Sequence, residues 1–160
     1  MRFRTHVVFS IGLTALIESA LGISNIILLL GSSLVLSYLI NFLIDALGHE
    51  EKNGFTHRSP RTHTMSRSFT LGLIISLLVA LFLYYMTPIG AYNALIIVLM
   101  GPLTGWSHML LDALTEGGIY IRRNGRWVRF ALAHFKYNNT VLNWLFTIIG
   151  ILLLIKSLVT

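Results

Sequence analysis

The chain has 160 residues, of which 55% are hydrophobic and 11% charged, too little polar material to cover a water-soluble globule of this size. It carries a net charge of +6 and no cysteine, which excludes disulfides and thiolate metal ligands and leaves imidazole and carboxylate to bind any ion. The charge does not point to a specific nucleic-acid partner, because in a chain dissolved in lipid the positions of the basic residues carry more information than their sum.

Five stretches approach the roughly 20 apolar residues that cross ~30 Å of hydrocarbon, at about 5 to 22, 26 to 47, 68 to 87, 91 to 114 and 140 to 158. The expectation is an all-α membrane protein, a five-helix transmembrane bundle forming a single domain over 1–160. Arg2 and Arg4 before the first run resemble the start of a signal peptide. No small-residue cleavage site follows, so the first run is read as a mature helix. Glu18 lies twelve residues after His6, ~18 Å along a helix, and is expected near the far surface, either pairing with Lys156 or snorkelling separately from it.

The second stretch ends on Asp45 and His49, four residues apart and therefore on one helical face. A short link at Gly22 to Asn25 makes it an antiparallel neighbour of the first. A long link follows, about 48 to 67, with His57 and His63. The third and fourth stretches are joined by the short link Thr87 to Gly90. The fourth contains Gly101-Pro102, which predicts a kink or break beside His108. His108 and Asp112 repeat the four-residue spacing at its end.

The second long link, about 115 to 139, contains Asn124-Gly125 between strand-forming residues, the preferred pair for a two-residue type I′ turn, and predicts a small cytoplasmic β-hairpin within 119–130. Its Arg122, Arg123, Arg126 and Arg129, with Trp127 and Phe130, suit anionic headgroups at the membrane interface or a substrate phosphate. His134 lies beyond it and reads as an ordinary interfacial histidine.

With the N-terminus in the cytoplasm, Arg2, Arg4, Lys52, Arg58, Arg61, Arg67, Arg122, Arg123, Arg126, Arg129 and Lys136 fall on that side, and of the 12 basic residues only Lys156 falls near the other. The same side then collects His6, Asp45, His49, His63, His108 and Asp112, from four helix ends. Carboxylates inside otherwise apolar runs need partners. These six are the candidate metal ligands. Ordinary hydration of polar helix ends is the competing account of each histidine taken singly.

Two runs carry a family resemblance. His57-Arg58-Ser59-Pro60-Arg61-Thr62-His63-Thr64 resembles the His-Arg-Gly-x-Thr-His-Ser signature of the membrane-bound, metal-dependent hydrolases typified by the LexA-regulated inner-membrane protein. Ser107-His108-Met109-Leu110-Leu111-Asp112-Ala113-Leu114-Thr115-Glu116-Gly117 is similar to that family's Ser-His-x-x-x-Asp-x-x-Thr-x-x-Gly signature, and Thr5-His6 to its Thr-His opening. Where the family usually shows Pro-Asp-x-Asp-His after helix two, this chain reads Ile44-Asp45-Ala46-Leu47-Gly48-His49, with one Asp fewer. Arg61 is an extra residue within the first signature.

The resemblance implies hydrolysis of an ester or phosphoester in a lipid or other amphiphile, assisted by a divalent metal, with zinc favoured over manganese by the number of histidines. On that reading Glu116 or His57 moves protons and Arg58 or Arg61 holds an anionic group. A non-enzymatic protein whose metal or polar cluster locks the helices, with basic loops that bind lipid or a partner, is the alternative. A transporter is a third, though its ionisable residues are expected near mid-membrane and not at one end.

Overall fold

The computed structural model describes residues 1–52 and 54–159. Five helices follow in order, α1 (Phe3–Ala20), α2 (Ile26–Gly48), α3 (Met65–Met86), α4 (Ala91–Ala113) and α5 (Thr140–Ser157). Strands β1 (His49–Lys52) and β2 (Phe55–Arg58) lie between α2 and α3, and β3 (Ile119–Arg123) and β4 (Arg126–Phe130) lie between α4 and α5. Four of the helices, α2 to α5, are long and apolar enough to cross a membrane, which makes the chain a membrane protein. The 18-residue α1, with Arg4 and Glu18 in it, is not one of these four and packs among them, against α5, α2 and α4. Helices α2, α3 and α5 begin where the N-cap side chain takes up free backbone N–H groups. Asn25 accepts from Ile27 and Leu28, Thr64 from Arg67, and Asn139 from Leu142. Asn143 of α5 does this for the start of α1, accepting from the Arg2 N–H at 3.0 Å and the Thr5 hydroxyl at 2.8 Å.

Of the apolar span in α4, 61% is buried, against 17% in α3 and 17% in α5, so α4 is central and the other two present most of their surface outward. Exposed Leu77, Leu78, Phe82, Leu145, Ile148 and Leu152 on those outer helices are the surface that lipid covers. Ile40 and Ile44 of α2 and Ile97 and Met109 of α4 belong to one buried apolar core.

Pro102 does not break α4, which runs continuously from Ala91 to Ala113. Proline lacks the N–H that would reach the Val98 carbonyl, and the Ser76 hydroxyl of α3 donates to that carbonyl at 2.7 Å in its place. Gly72 and Gly101 meet at the same crossing, where a side chain on either would overlap the other's backbone.

The β3–β4 hairpin forms around Asn124-Gly125, whose φ angles of +50° and +77° are those of a type I′ turn. The β1–β2 hairpin lies within the long link at 48–67, where the sequence predicts no strands. Both hairpins sit at the end of the bundle shared by the start of α1, the end of α2, the start of α3 and the end of α4. Glu18, at the other end of α1, is fully buried and neither exposed nor snorkelling, its Oε2 accepting from the Ser32 and Ser33 hydroxyls of α2 at 2.8 and 3.0 Å.

Candidate metal centre

Asp112, in the last turn of α4, is the hub. Its Oδ1 lies 2.7 Å from Arg58 Nη2, 3.1 Å from His6 Nε2 and 2.7 Å from the Met1 amino nitrogen. Its Oδ2 faces His108 Nε2 at 3.2 Å and His63 Nε2 at 3.7 Å. Asp45 Oδ1 approaches the same two ring atoms at 3.4 and 3.5 Å, and His49 Nε2 at 3.6 Å. His6 stacks on His108 with ring centroids 3.9 Å apart, and His49 stacks on His63 at 5.1 Å. All six residues that the sequence nominates as ligands therefore meet. His6, His63, His108 and Asp112 are wholly enclosed, whereas Asp45 and His49, 24% and 34% exposed, form the mouth.

Local structure sets each of these positions. The i, i+4 spacing aims Asp45 with His49, and His108 with Asp112, along single helix faces. His63 comes from the turn before α3, held by the Tyr120 N–H, which donates to the His63 carbonyl at 2.7 Å, while the Tyr120 hydroxyl donates to the Arg58 carbonyl at 2.9 Å. The β3–β4 hairpin thus clamps the segment that supplies both Arg58 and His63. Gly48 lets that segment close onto α2. A Cβ there would strike Thr62 Oγ1 and His63 Nδ1.

Hydrogen bonds decide which nitrogen of each ring carries the proton. The Asn41 side-chain amide donates to the Ser37 carbonyl at 2.7 Å and to Ser10 Oγ at 3.2 Å, so its Oδ1 is the acceptor for His108 Nδ1–H at 2.7 Å. The Thr62 hydroxyl donates to the Ile44 carbonyl at 2.6 Å and accepts from His63 Nδ1–H at 3.2 Å. Both neutral rings then present an Nε2 lone pair toward carboxylate oxygens. Among the described residues, His63 Nε2, His108 Nε2 and Asp112 Oδ2 are buried without a hydrogen-bond partner. Acceptors converging on acceptors repel one another. A cation between them, or a second proton on each ring, relieves that repulsion.

For His63 the second proton is disfavoured. Burial, opposed by Asp45, holds its pKa below the ordinary 6.5, and burial lowers His49 against the same opposition. The four distances between the His63 and His108 nitrogens and the facing Asp45 and Asp112 oxygens run from 3.2 to 3.7 Å. Ligand atoms around one tetrahedral zinc, each about 2.0–2.2 Å from the ion, stand roughly 3.3–3.6 Å apart. Two overlapping sets, His6, His108, Asp112 and Asp45, His63, His108, have ligand atoms within 4.8 Å of one another. The donor set fits a divalent metal.

The depressed histidines have a consequence without metal. Below pH ~6.5 the unfolded chain takes up protons that folded His63 and His49 resist, so the unfolded state binds more protons and stability falls as the pH drops. Thermal unfolding of chelator-treated protein in detergent is expected to show a melting temperature that declines from pH 7 to pH 5. A His63→Gln variant is expected to decline less steeply, and equal slopes would contradict the assignment.

The other nominated residues lie apart from the cluster or are already engaged. Arg58 reaches Asp112, and its Nη1 donates to Thr115 Oγ1 and the Gly118 carbonyl, both at 3.1 Å, so it ties β2 to the end of α4. Arg61 is exposed, with Nε 3.4 Å from Glu50. His57, Glu116 and His134 are exposed. Sequence reasoning missed Asn41, although its place four residues before Asp45 put it on the ligand-bearing face. It also missed Ser10 and Ser107, whose hydroxyls meet at 2.9 Å below the cluster.

The family described as protein of unknown function, DUF1286, matches residues 1–111, well over half of the chain. No curated protein and no solved structure matches it. The chain belongs to the DUF1286 family.

Proposed function

We propose that this DUF1286 protein is a metal-dependent membrane hydrolase acting on an ester or phosphoester of a lipid or another amphiphile. The observation that carries the reading is the facing of His63 Nε2, His108 Nε2 and Asp112 Oδ2, all buried and without a hydrogen-bond partner among the described residues, with Asp45 closing the set from the mouth. His6, Asp45, His49, His63, His108 and Asp112 would hold the ion, zinc in preference to manganese. A divalent metal there supplies Lewis-acid polarisation of a carbonyl or phosphoryl oxygen and a water more acidic than bulk.

The chain's own groups do the rest. Asn41 and Thr62 hold the His108 and His63 rings with Nε2 inward. Arg58 balances Asp112 and fixes its carboxylate, and Arg61, exposed beside the mouth segment, is the group left to meet a substrate anion. His57 and Glu116, next in sequence to Arg58 and Thr115, would exchange protons with water. In the membrane the N-terminus and both hairpins would face the cytoplasm, where the basic residues gather, and an amphiphile would reach Asp45 and His49 from the adjoining leaflet. A structural lock is the second reading, favoured by the complete enclosure of His6, His63, His108 and Asp112.

Activity separates the two. Purified protein, stripped by chelator and reloaded with zinc or manganese, would be offered a panel of phospholipids, lipid phosphates and acyl esters in mixed micelles. Metal-restored cleavage is expected, lost in His108→Ala and slowed in Glu116→Gln with metal content intact. A metal-loaded wild type inert across the panel would leave the lock as the function of the cluster.

A further inference from the structure

Only the base of the β3–β4 hairpin clamps the segment of Arg58 and His63. Ile119 belongs to the buried core and Tyr120 makes both bonds of the clamp, whereas every residue from 121 to 130 is exposed. That outer part holds Arg122, Arg123, Arg126 and Arg129, with Ile121, Trp127, Val128 and Phe130, and no acidic residue. Among the described residues, none of the four arginines enters a salt bridge. Arg123 and Arg126 stand directly opposite each other beside the turn, and like charges so placed repel. Strand alternation puts the opposed pair Ile121 and Val128 on the same face as these two arginines. That face carries an uncompensated positive end and an apolar body, both open.

Two tryptophans place the hairpin in depth. Trp127, on the other face, lies under Arg67 of α3, whose guanidinium carbon is 5.1 Å from the ring centroid. Arg67 is two residues, ~3 Å of helix, beyond Met65. The Met65 carbonyl accepts from the indole N–H of Trp106 at 3.3 Å, and the Trp106 ring packs on Phe69 with centroids 5.2 Å apart. Trp106 is itself exposed on the flank of α4, in the position of an aromatic anchor at the membrane boundary. Both indoles thus engage the first turn of α3. The hairpin lies beside that turn, at the level where the lipid-covered flank ends.

We propose that the outer part of this hairpin docks on the headgroups of anionic phospholipids in the surrounding leaflet. Lipid phosphates meet the arginines, and the boundary of the acyl chains receives Ile121 and Val128. A free phosphate would answer the charges and leave the apolar face in water. A second copy of the chain lacks the charge to replace the lipid. Of its six acidic residues, Glu18 and Asp112 are buried, Asp45 faces histidines and Glu50 meets Arg61, which leaves Glu51 and Glu116 against four arginines. Docking needs nothing from the metal, so it stands or falls separately from hydrolysis.

The test uses the full chain, reconstituted in bilayers of equal phosphatidylglycerol and phosphatidylcholine and extracted in mild detergent, with the retained lipids counted by mass spectrometry. Wild type is expected to retain phosphatidylglycerol in excess. Arg123→Gln/Arg126→Gln is expected to cut that excess by up to about 25-fold, at roughly 5-fold for each charge, with its melting temperature near that of wild type. Arg123→Lys/Arg126→Lys should keep most of it. Ile121→Ser/Val128→Ser, with every charge intact, should also lower it. Inorganic phosphate should displace no more lipid than chloride at equal ionic strength. Should Arg123→Gln/Arg126→Gln fail to fold, Arg122→Gln/Arg129→Gln decides in its place by the same loss. Equal retention of the two lipids by wild type overturns the proposal, as does an undiminished excess in the folded glutamine or serine variant. Selective displacement by phosphate overturns it too, making the arginines a site for free anions.

Discussion

Asp112→Ala is expected to abolish zinc binding and to destabilise the protein more than any other single change in the cluster. The carboxylate meets Arg58 at 2.7 Å through one oxygen and His108 at 3.2 Å through the other, and it is fully buried. Its removal leaves the Arg58 guanidinium, only 13% exposed, facing a cavity without its counter-charge. Breaking a buried ion pair from one side costs about 3–5 kcal/mol, because the surviving charge stays desolvated. The loss should appear twice, as a lowered melting temperature of the metal-free protein and as the absence of the further rise that zinc gives wild type. Arg58→Ala should reproduce much of the first effect and little of the second, since Arg58 donates no ligand. If Asp112→Ala protein still takes up zinc with wild-type stoichiometry, Asp112 is not a ligand and the hub assigned to it is wrong.

The residues that the sequence revealed are those whose partners lie on their own helix. Asp45 with His49 and His108 with Asp112 are pairs at helical spacing, so one face and one depth follow from the numbering alone. That they meet one another was legible only through the side of the membrane they share. His57 and Arg58 show where this stops. Neighbours in a strand point to opposite sides, and because β2 forms, Arg58 turns in toward Asp112 while His57 faces out. Nothing in 48–67 at helical period signals that hairpin. The rise of a helix puts Glu18 at the end of α1 away from His6, but its burial against Ser32 and Ser33 involves another helix, and that contact is set by packing. Pro102 announced a lost backbone bond correctly, whereas the Ser76 hydroxyl that compensates for it, from α3, carries no mark in the sequence.

Asn41→Leu is expected to weaken zinc binding by ~10–100-fold, the usual cost of removing the group that orients a histidine ligand. The Asn41 Oδ1 holds the His108 proton on Nδ1 at 2.7 Å, and leucine, close to it in size, fills the space without accepting. The ring is then free to place its proton on Nε2, where Asp112 at 3.2 Å and Asp45 at 3.4 Å both accept it. That tautomer satisfies the carboxylates and removes the lone pair that an ion requires, so the metal-free state gains what the bound state loses. Asn41→Asp keeps an acceptor at the same position and should retain most of the affinity, which distinguishes loss of orientation from general damage to the packing of α2. Chelator competition measures both variants on the same scale. Wild-type affinity in Asn41→Leu would show that the His108 tautomer is set elsewhere, and an equal loss in Asn41→Asp would show that the size and neutrality of the asparagine matter more than its acceptor oxygen.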